Sequence, residues 1–391
     1  MSRSKAQAWD QTTLGSIATF INGYAFASSE HDNSGLPVIR IEQLRDRDAH
    51  VDRSSVKLPG HFLLQNDDIV FSWSGSFIVQ LWDRGPAWLN QHLFRVIPKD
   101  GVNNRFLSHM LNWSIDPLSR QSHGTTMTHV TRRSLLAHAV LLPPPEEQRR
   151  IAEVLDAADG WITEADQALR KQNSLSEALG YSLIPVEPNP QLLGADWDLV
   201  PLSEVVPTAD YGISSPLSSE GDGMPTLRMN NLADGRVRLD DLKFATTAIP
   251  GELTLLDQDV LFNRTNSFEH VGRTAIWRCE LKRATFASYL VRLNPDIRRL
   301  DKEYLVRWLN QPAIQQRIRR MATPGVHQVN INPTSLRRVP IELPREVSRQ
   351  RQIVQIMANC DQAADRMRAE LARLKSVRQG LMDDLLTGRC G

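Results

Sequence analysis

The sequence predicts an α/β (α+β) chain of two duplicated globular domains separated by two long helices. These helices are expected to form an antiparallel coiled coil, giving the chain pseudo-twofold symmetry. Two observations carry this prediction. The chain repeats itself at a shift that grows from 188 residues to 202, and each copy runs into a long helical stretch with a single apolar seam.

The repeat is read first. Trp9-Asp10 with Leu14 returns as Trp197-Asp198 with Leu202, a shift of 188. Gly35, Pro37, Arg40 and Leu44 return as Gly223, Pro225, Arg228 and Leu232. Asp68-Ile-Val-Phe71 returns as Asp259-Val-Leu-Phe262, Phe106-Leu107 as Tyr304-Leu305, and Gly124 as Gly325. Val140-Leu-Leu142-Pro143 returns as Ile341-Glu-Leu343-Pro344, and Gln148 with Ile151 returns as Gln350 with Ile353, now shifted by 202. The order never breaks, so one ancestral half was duplicated and acquired short loop insertions.

Each half follows one plan. Short apolar runs such as Val38-Ile39-Arg40-Ile41 and Asp68-Ile69-Val70-Phe71 lie between turn residues and read as strands. A helical segment follows, near 104–113 and 302–311. A Leu-Pro stop ends it, Leu142-Pro-Pro-Pro145 in one half and Leu343-Pro344 in the other. The expected organisation is a globular domain over 1–145, a helix over 146–184, a linker over 185–201, a second globular domain over 202–345 and a second helix over 346–387.

The helices are read from their spacing. Ile151, Leu155, Ala158, Ile162, Ala165 and Leu169 step by four and three. After Gln172 and Ser176 the seam resumes at Leu179 and Leu183. The second copy is better filled, with Ile353, Met357, Cys360, Ala364, Met367, Leu371 and Leu374, then Arg378, then Leu381 and Leu385. Such a 4-3 pattern is a coiled-coil seam, and about 40 residues of it span roughly 60 Å. Two placements suit the seam: each helix on its own globular domain, or, favoured here, each helix on the other. Gly180 and Gly380 also match, which predicts that both helices kink or loosen at the same place.

Composition excludes several classes. The 391 residues are 41% hydrophobic and 23% charged, enough for ordinary cores and unlike a disordered tail. A net charge of +1 means that any nucleic-acid surface must be local. Three scattered cysteines give neither a disulfide framework nor a zinc site, which fits a reducing cytoplasm. No signal peptide or membrane span is expected. A P-loop, an H-E-x-x-H pair and the motifs of an adenine methyltransferase are all missing. Asp259 with Glu280 and Lys282 makes a weak nuclease-like set that has no counterpart in the first half.

Several stretches carry a family resemblance. They are Trp9 with Leu14-Gly15, Gly35-Leu-Pro37-Val-Ile-Arg40, Asn90-Gln-His92-Leu93-Phe94, Leu142-Pro-Pro-Pro145-Glu-Glu-Gln148-Arg-Arg-Ile151-Ala152, and the ending Leu381-Met-Asp-Asp-Leu-Leu386-Thr-Gly388. Together they resemble the specificity subunit of type I restriction–modification systems, over nearly the whole chain. The second copy departs from the proline-rich block, having one extra residue and one proline. The resemblance implies that each globular domain is a target recognition domain for one half of a split double-stranded DNA sequence. It implies that the helices fix the gap and dock two methyltransferase subunits, which bring S-adenosylmethionine, so this chain binds no cofactor itself. It leaves room for a restriction motor–nuclease subunit and places the protein in a bacterial or archaeal cytoplasm. Rival readings are a standalone nuclease, a coiled-coil adaptor, and the DNA reader of another methylation-based defence system.

Base reading needs donors and acceptors at loop tips on a rigid frame. Three loop classes qualify. The first holds Tyr24 in one half and Tyr211 in the other, and the alternative for each is a packed tyrosine in a hairpin. The second holds Ser72, Trp73, Ser74 and Ser76, matched by Asn263, Arg264, Thr265, Asn266 and Ser267. There Arg264 suits a guanine edge, or a phosphate, and Asn266 an adenine edge. The third holds Thr125, Thr126, Thr128 and His129, matched by His327, Gln328 and Asn330. Arg132 and Arg133 suit phosphate contacts, as do Arg317, Arg319, Arg320, Arg337 and Arg338; the alternative is a solvated surface. Arg40 and Arg228 equally suit a structural carboxylate partner. His92 and His109 read as ordinary fold residues.

Overall fold

The computed structural model describes residues 9–73, 77–120, 131–186, 194–325 and 328–389. The chain forms two compact units, residues 1–167 with 368–391, and residues 168–367. The division falls inside both long helices rather than at their ends.

In the first unit a four-stranded antiparallel sheet has the order Ala18–Asn22, Leu93–Pro98, Ile69–Ser72, Ile78–Leu81. Alternation turns Phe20, Phe71, Phe94 and Val96 to one face, where they meet Phe106, Leu107, Met110 and Leu111 of the Asn104–Arg120 helix. A smaller sheet pairs Leu36–Ile39 parallel with Ala87–Leu89. The second unit repeats the design. Thr208–Tyr211, Leu290–Asn294, Val260–Asn263 and Thr274–Ile276 are consecutive neighbours in a six-stranded sheet, and Pro225–Leu227 pairs parallel with Thr285–Phe286. Largely antiparallel sheets backed by helices make each unit α+β.

Register shows how deep the duplication runs. In the first unit Asn22 and Phe71 both sit opposite Phe94. In the second, Tyr211 and Phe262 both sit opposite Val291. Strand by strand the shift is therefore 189 (22 to 211), 191 (71 to 262) and 197 (94 to 291). The turn before the second of these strands repeats as well. Asp67 and Gln258 both take positive φ, 68° and 63°, and their N–H groups donate to the carbonyls of Trp82 and Trp277. The next residue forms an ion pair inside the sheet in both units, Asp68 with Arg95 at 2.8 Å and Asp259 with Arg292 at 3.1 Å. Arg40 and Arg228 also hold structural carboxylates, Asp52 and Asp241.

The glutamine after each Leu-Pro stop has a physical role. Gln148 is buried and accepts from the Asn103 N–H at 2.8 Å, while its amide donates to the carbonyls of Gly101 and Pro143. Gln350 does the same with Asp301 N–H, Arg299 and Pro344. Asn103 and Asp301 in turn accept N–H groups in the first turn of the following helices. One amide thus ties the start of a long helix to the cap of a short one.

The long helices run Pro145–Leu183 and Val347–Leu385. Every seam residue named above is buried or half-buried, and none is exposed. Both expected placements occur. Ile151, Leu155, Met382 and Leu386 belong to the first unit's core, and Ile353 to the second's. Helix also meets helix. In the first unit Arg378 Nε donates to Asp159 Oδ1 at 2.7 Å, and Trp9 lies against Gly388. In the second, Gln172 donates to the Cys360 carbonyl, and a Cβ on Gly180 would stand 3.6 Å from Met357 Cε. In the second unit the partner number falls from 360 to 357 as the residue number rises from 172 to 180, so the helices there are antiparallel. The expected loosening at the glycines is corrected: helical structure continues through Gly160, Gly180 and Gly380. Gly180 is instead a point of close approach, with Gln311 Nε2 3.1 Å from where a Cβ would stand.

Candidate nucleic-acid interface

In the second unit the structure brings the three flagged loop classes to one sheet end. Tyr211 ends its strand, and Arg264 follows the Val260–Asn263 strand. Thr265–Asn266 then pairs with Val329–Asn330, which pairs with Thr323–Pro324. The Arg264 guanidinium lies 5.2 Å from the Tyr211 ring centroid, and Thr265 Oγ1 donates to Asn330 Oδ1 at 3.4 Å. Gln328 points its amide at Met229 Sδ. Ser267 is exposed, and its carbonyl accepts from His270 and Val271 in a tight turn.

Two residues of this set are corrected. Asn263 has no exposed surface, and its Nδ2 donates to the carbonyls of Met229 and His270 at 3.2 and 3.4 Å. It braces the loop from beneath. Asn266 is 7% exposed and accepts the Ser267 N–H, so its side-chain oxygen serves the turn rather than an adenine edge. A side chain closed off from water has no free group to offer a base.

The first unit corrects two more. Ser72 has no exposed surface and occupies the place of Asn263. Tyr24 is not the counterpart of Tyr211. Its N–H donates to the Leu89 carbonyl as that of Ile213 does to Phe286, so Tyr24 matches Ile213 and Asn22 matches Tyr211. Tyr24 packs against Phe26 and Phe62 while its hydroxyl donates to Glu30, and this carboxylate holds the phenol above its ordinary pKa. The packed-tyrosine alternative therefore holds for Tyr24. Trp73 is half-buried, 5.7 Å from the Phe94 ring. Arg132 and Arg133 are both exposed, and Arg132 also donates to the Phe20 carbonyl and lies 5.8 Å from the Phe94 ring. Ser74, Ser76, Thr125, Thr126, Thr128, His129 and His327 lie outside the described residues.

Sequence reasoning missed two positions. His92 and Tyr289 are exposed and occupy the same place, one residue before Leu93 and Leu290 in the matched strands. The signal was weak, because Asn90-Gln-His-Leu-Phe94 has become Ala287-Ser-Tyr-Leu-Val291. His109, by contrast, is buried and bonded to Asp156, an ordinary fold residue as expected.

The flanking cations divide. Arg317, Arg319 and Arg337 donate to the carbonyls of Val186, Glu269 and Val206, so they seal loops of the second unit. Arg320 and Arg338 are exposed. Two members of the nuclease-like set, Asp259 and Glu280, are engaged in local bonds. Burial alone would raise the carboxyl of Asp210, but hydrogen bonds from Asn294 and Arg292 hold it low; the same Arg292 occupies Asp259. Glu280 accepts from the Arg278 N–H. Among the described residues no three His, Cys, Asp or Glu side chains could share a metal.

Comparison with known proteins follows the same line. Residues 7–172 match the family described as the Type I restriction modification DNA specificity domain. The chain is 24% identical over 414 residues to the EcoBI type I restriction enzyme specificity subunit of Escherichia coli, covering 97% of this chain and 86% of that protein. It is 21% identical to the MjaVIII specificity subunit of Methanocaldococcus jannaschii, covering 97% and 92%. In fold it is similar to the S subunit of a type I system from M. genitalium, with a TM-score of 0.59, 15% identity and coverage of 99% and 98%. A chain solved in a study of type I complex assembly and conformational transition gives 0.63, 19% identity and coverage of 98% and 99%. Residues 7–172 thus carry the type I DNA specificity domain, and the chain is similar along nearly its whole length to known specificity subunits of type I restriction enzymes.

Proposed function

We propose that this chain gives a type I restriction–modification enzyme its DNA sequence, each unit reading one half of a split target. One observation carries the reading. A single chain contains two copies of one frame, matched in register, ion pair and glutamine tie, whose loop ends differ in chemistry. A reader of two different half-sites needs that combination. It is a recognition subunit and not the catalyst; methyl transfer to adenine, with S-adenosylmethionine and base flipping, belongs to partner methyltransferase subunits.

The long helices supply a docking surface for those partners. Beside the seam, Val154, Trp161 and Leu175 recur every seven residues on one helix, with Ala168 between them. Ile356 and Val377 take the same heptad position on the other. Trp161 is 60% exposed and Leu175 53%, more than isolated apolar side chains need. We assign this stripe to two methyltransferase subunits, with a restriction subunit joining through them, in the cytoplasm.

The test is a genome-wide map of methylated adenine with the gene intact and deleted. A split motif with a fixed gap that vanishes on deletion is expected. Unchanged methylation would sink the proposal.

A further inference from the structure

We infer that each unit reads its half-site through a three-position edge at the end of its central sheet. The positions are Asn22, Trp73 and His92 in the first unit, and Tyr211, Arg264 and Tyr289 in the second. This rests on the specificity-subunit reading above and names where the sequence is read.

The equivalence comes from register. Asn22 and Tyr211 lie opposite Phe94 and Val291, and Trp73 and Arg264 directly follow Ser72 and Asn263. His92 and Tyr289 directly precede Leu93 and Leu290. The backbone is then held by the same three hydrogen bonds in both units. Gly23 N–H donates to Leu93, Tyr24 to Leu89 and Gln91 to Tyr24; Gly212 donates to Leu290, Ile213 to Phe286 and Ser288 to Ile213. Both glycines are required by close approach. A Cβ would stand 2.2 Å from the Asn90 carbonyl oxygen at Gly23, and 2.3 Å from that of Phe286 at Gly212. So the frame places three side chains in fixed positions, and all three differ between the units while buried neighbours such as Phe71 and Phe262 do not.

The chemistry of the edge suits base reading. Tyr211 and Tyr289 are 51% and 46% exposed, on a sheet whose other aromatic residues are buried. Arg264 lies against the Tyr211 ring, and its N–H donates to the Tyr289 carbonyl at 3.0 Å. The guanidinium is positioned by that ring and by a long bond from Nη1 to the Ser288 carbonyl at 3.5 Å, and its remaining N–H groups suit the acceptors of a guanine. The first unit presents an exposed amide and an exposed imidazole instead, with no cation among its three positions. We therefore assign a guanine in the second unit's half-site to Arg264.

The experiment uses the complete enzyme, this chain with its methyltransferase partner, and reads the methylated motif in cells for wild type, Arg264→Gln and His92→Ala. Arg264→Gln is expected to relax one guanine in one half-site by about tenfold or more, leaving the other half and the gap unchanged. His92→Ala is expected to relax one position in the opposite half. If both variants methylate the wild-type motif with undiminished preference at every base, the inference is overturned. Should a variant methylate nothing, the purified complex is titrated against duplexes changed one base at a time. Weakening confined to duplexes carrying one base supports the edge; equal weakening on all duplexes overturns it. A wild-type enzyme with no split motif would instead overturn the specificity-subunit reading.

Discussion

Glu342 has no exposed surface, and it stands where the first half has Leu141. Trp308 Nε1 donates to one carboxylate oxygen at 2.9 Å, and the Arg317 guanidinium is 3.8 Å from the other. Burial nevertheless pushes its pKa above the ordinary carboxylate value. The folded state therefore keeps this proton at pH values where the unfolded chain has released it. Stability is greatest below the unfolded carboxylate range, falls as pH rises through the raised folded value, and then levels. Glu342→Gln keeps an acceptor for Trp308 and is expected to flatten that fall and to raise stability at neutral pH. Urea unfolding from pH 4 to 8 checks this, and parallel curves for the two proteins would refute it. Gln350→Ala leaves the Asp301 N–H and the carbonyls of Arg299 and Pro344 without their partner. A loss of about 3 kcal/mol is expected in the same assay.

At the scale of elements, the seam was legible because the 4-3 period survives in both copies, and the glutamine tie because Gln148 and Gln350 kept their identity. Strand register was not. Matching Tyr24 to Tyr211 by residue type placed the first loop two residues off, since nothing local in the sequence marks which residue faces Phe94. Ser72 and Asn263 were chosen for polarity straight after an apolar strand. Yet their position at the strand's end still lies beneath the loop, and burial there is a tertiary fact. The helices carry two predictions. Trp161→Glu is expected to change stability by less than about 0.5 kcal/mol while reducing co-purification with the methyltransferase at least tenfold, since an exposed ring supports little of the fold. Removing seven residues from one long helix is expected to alter the gap in the recognised sequence or to abolish assembly. Unchanged spacing with full activity would argue against the helices as spacers.

For the whole molecule, the duplication makes the halves exchangeable. Replacing residues 202–345 with another such domain is expected to change one half of the methylated motif and leave the other. An unaltered motif after a well-folded swap would remove the two-reader account. Sequence alone reached this level because repeats survive where loops diverge. It flagged Trp73, Tyr211 and Arg264 but missed His92 and Tyr289, because the edge positions share no residue type between the copies.

The first unit is assembled from both ends of the chain, residues 1–167 with 368–391, whereas the second is continuous over 168–367. During synthesis the second unit's residues are complete while the first still lacks Met382 and Leu386 from its core. At about 5–20 residues per second the ribosome needs roughly 1–4 s more to supply them. The half made first is finished last. A nascent chain stalled after residue 367 should thus protect its later half from protease and leave its earlier half open. Premature stops near the C-terminus should damage the N-terminal reader.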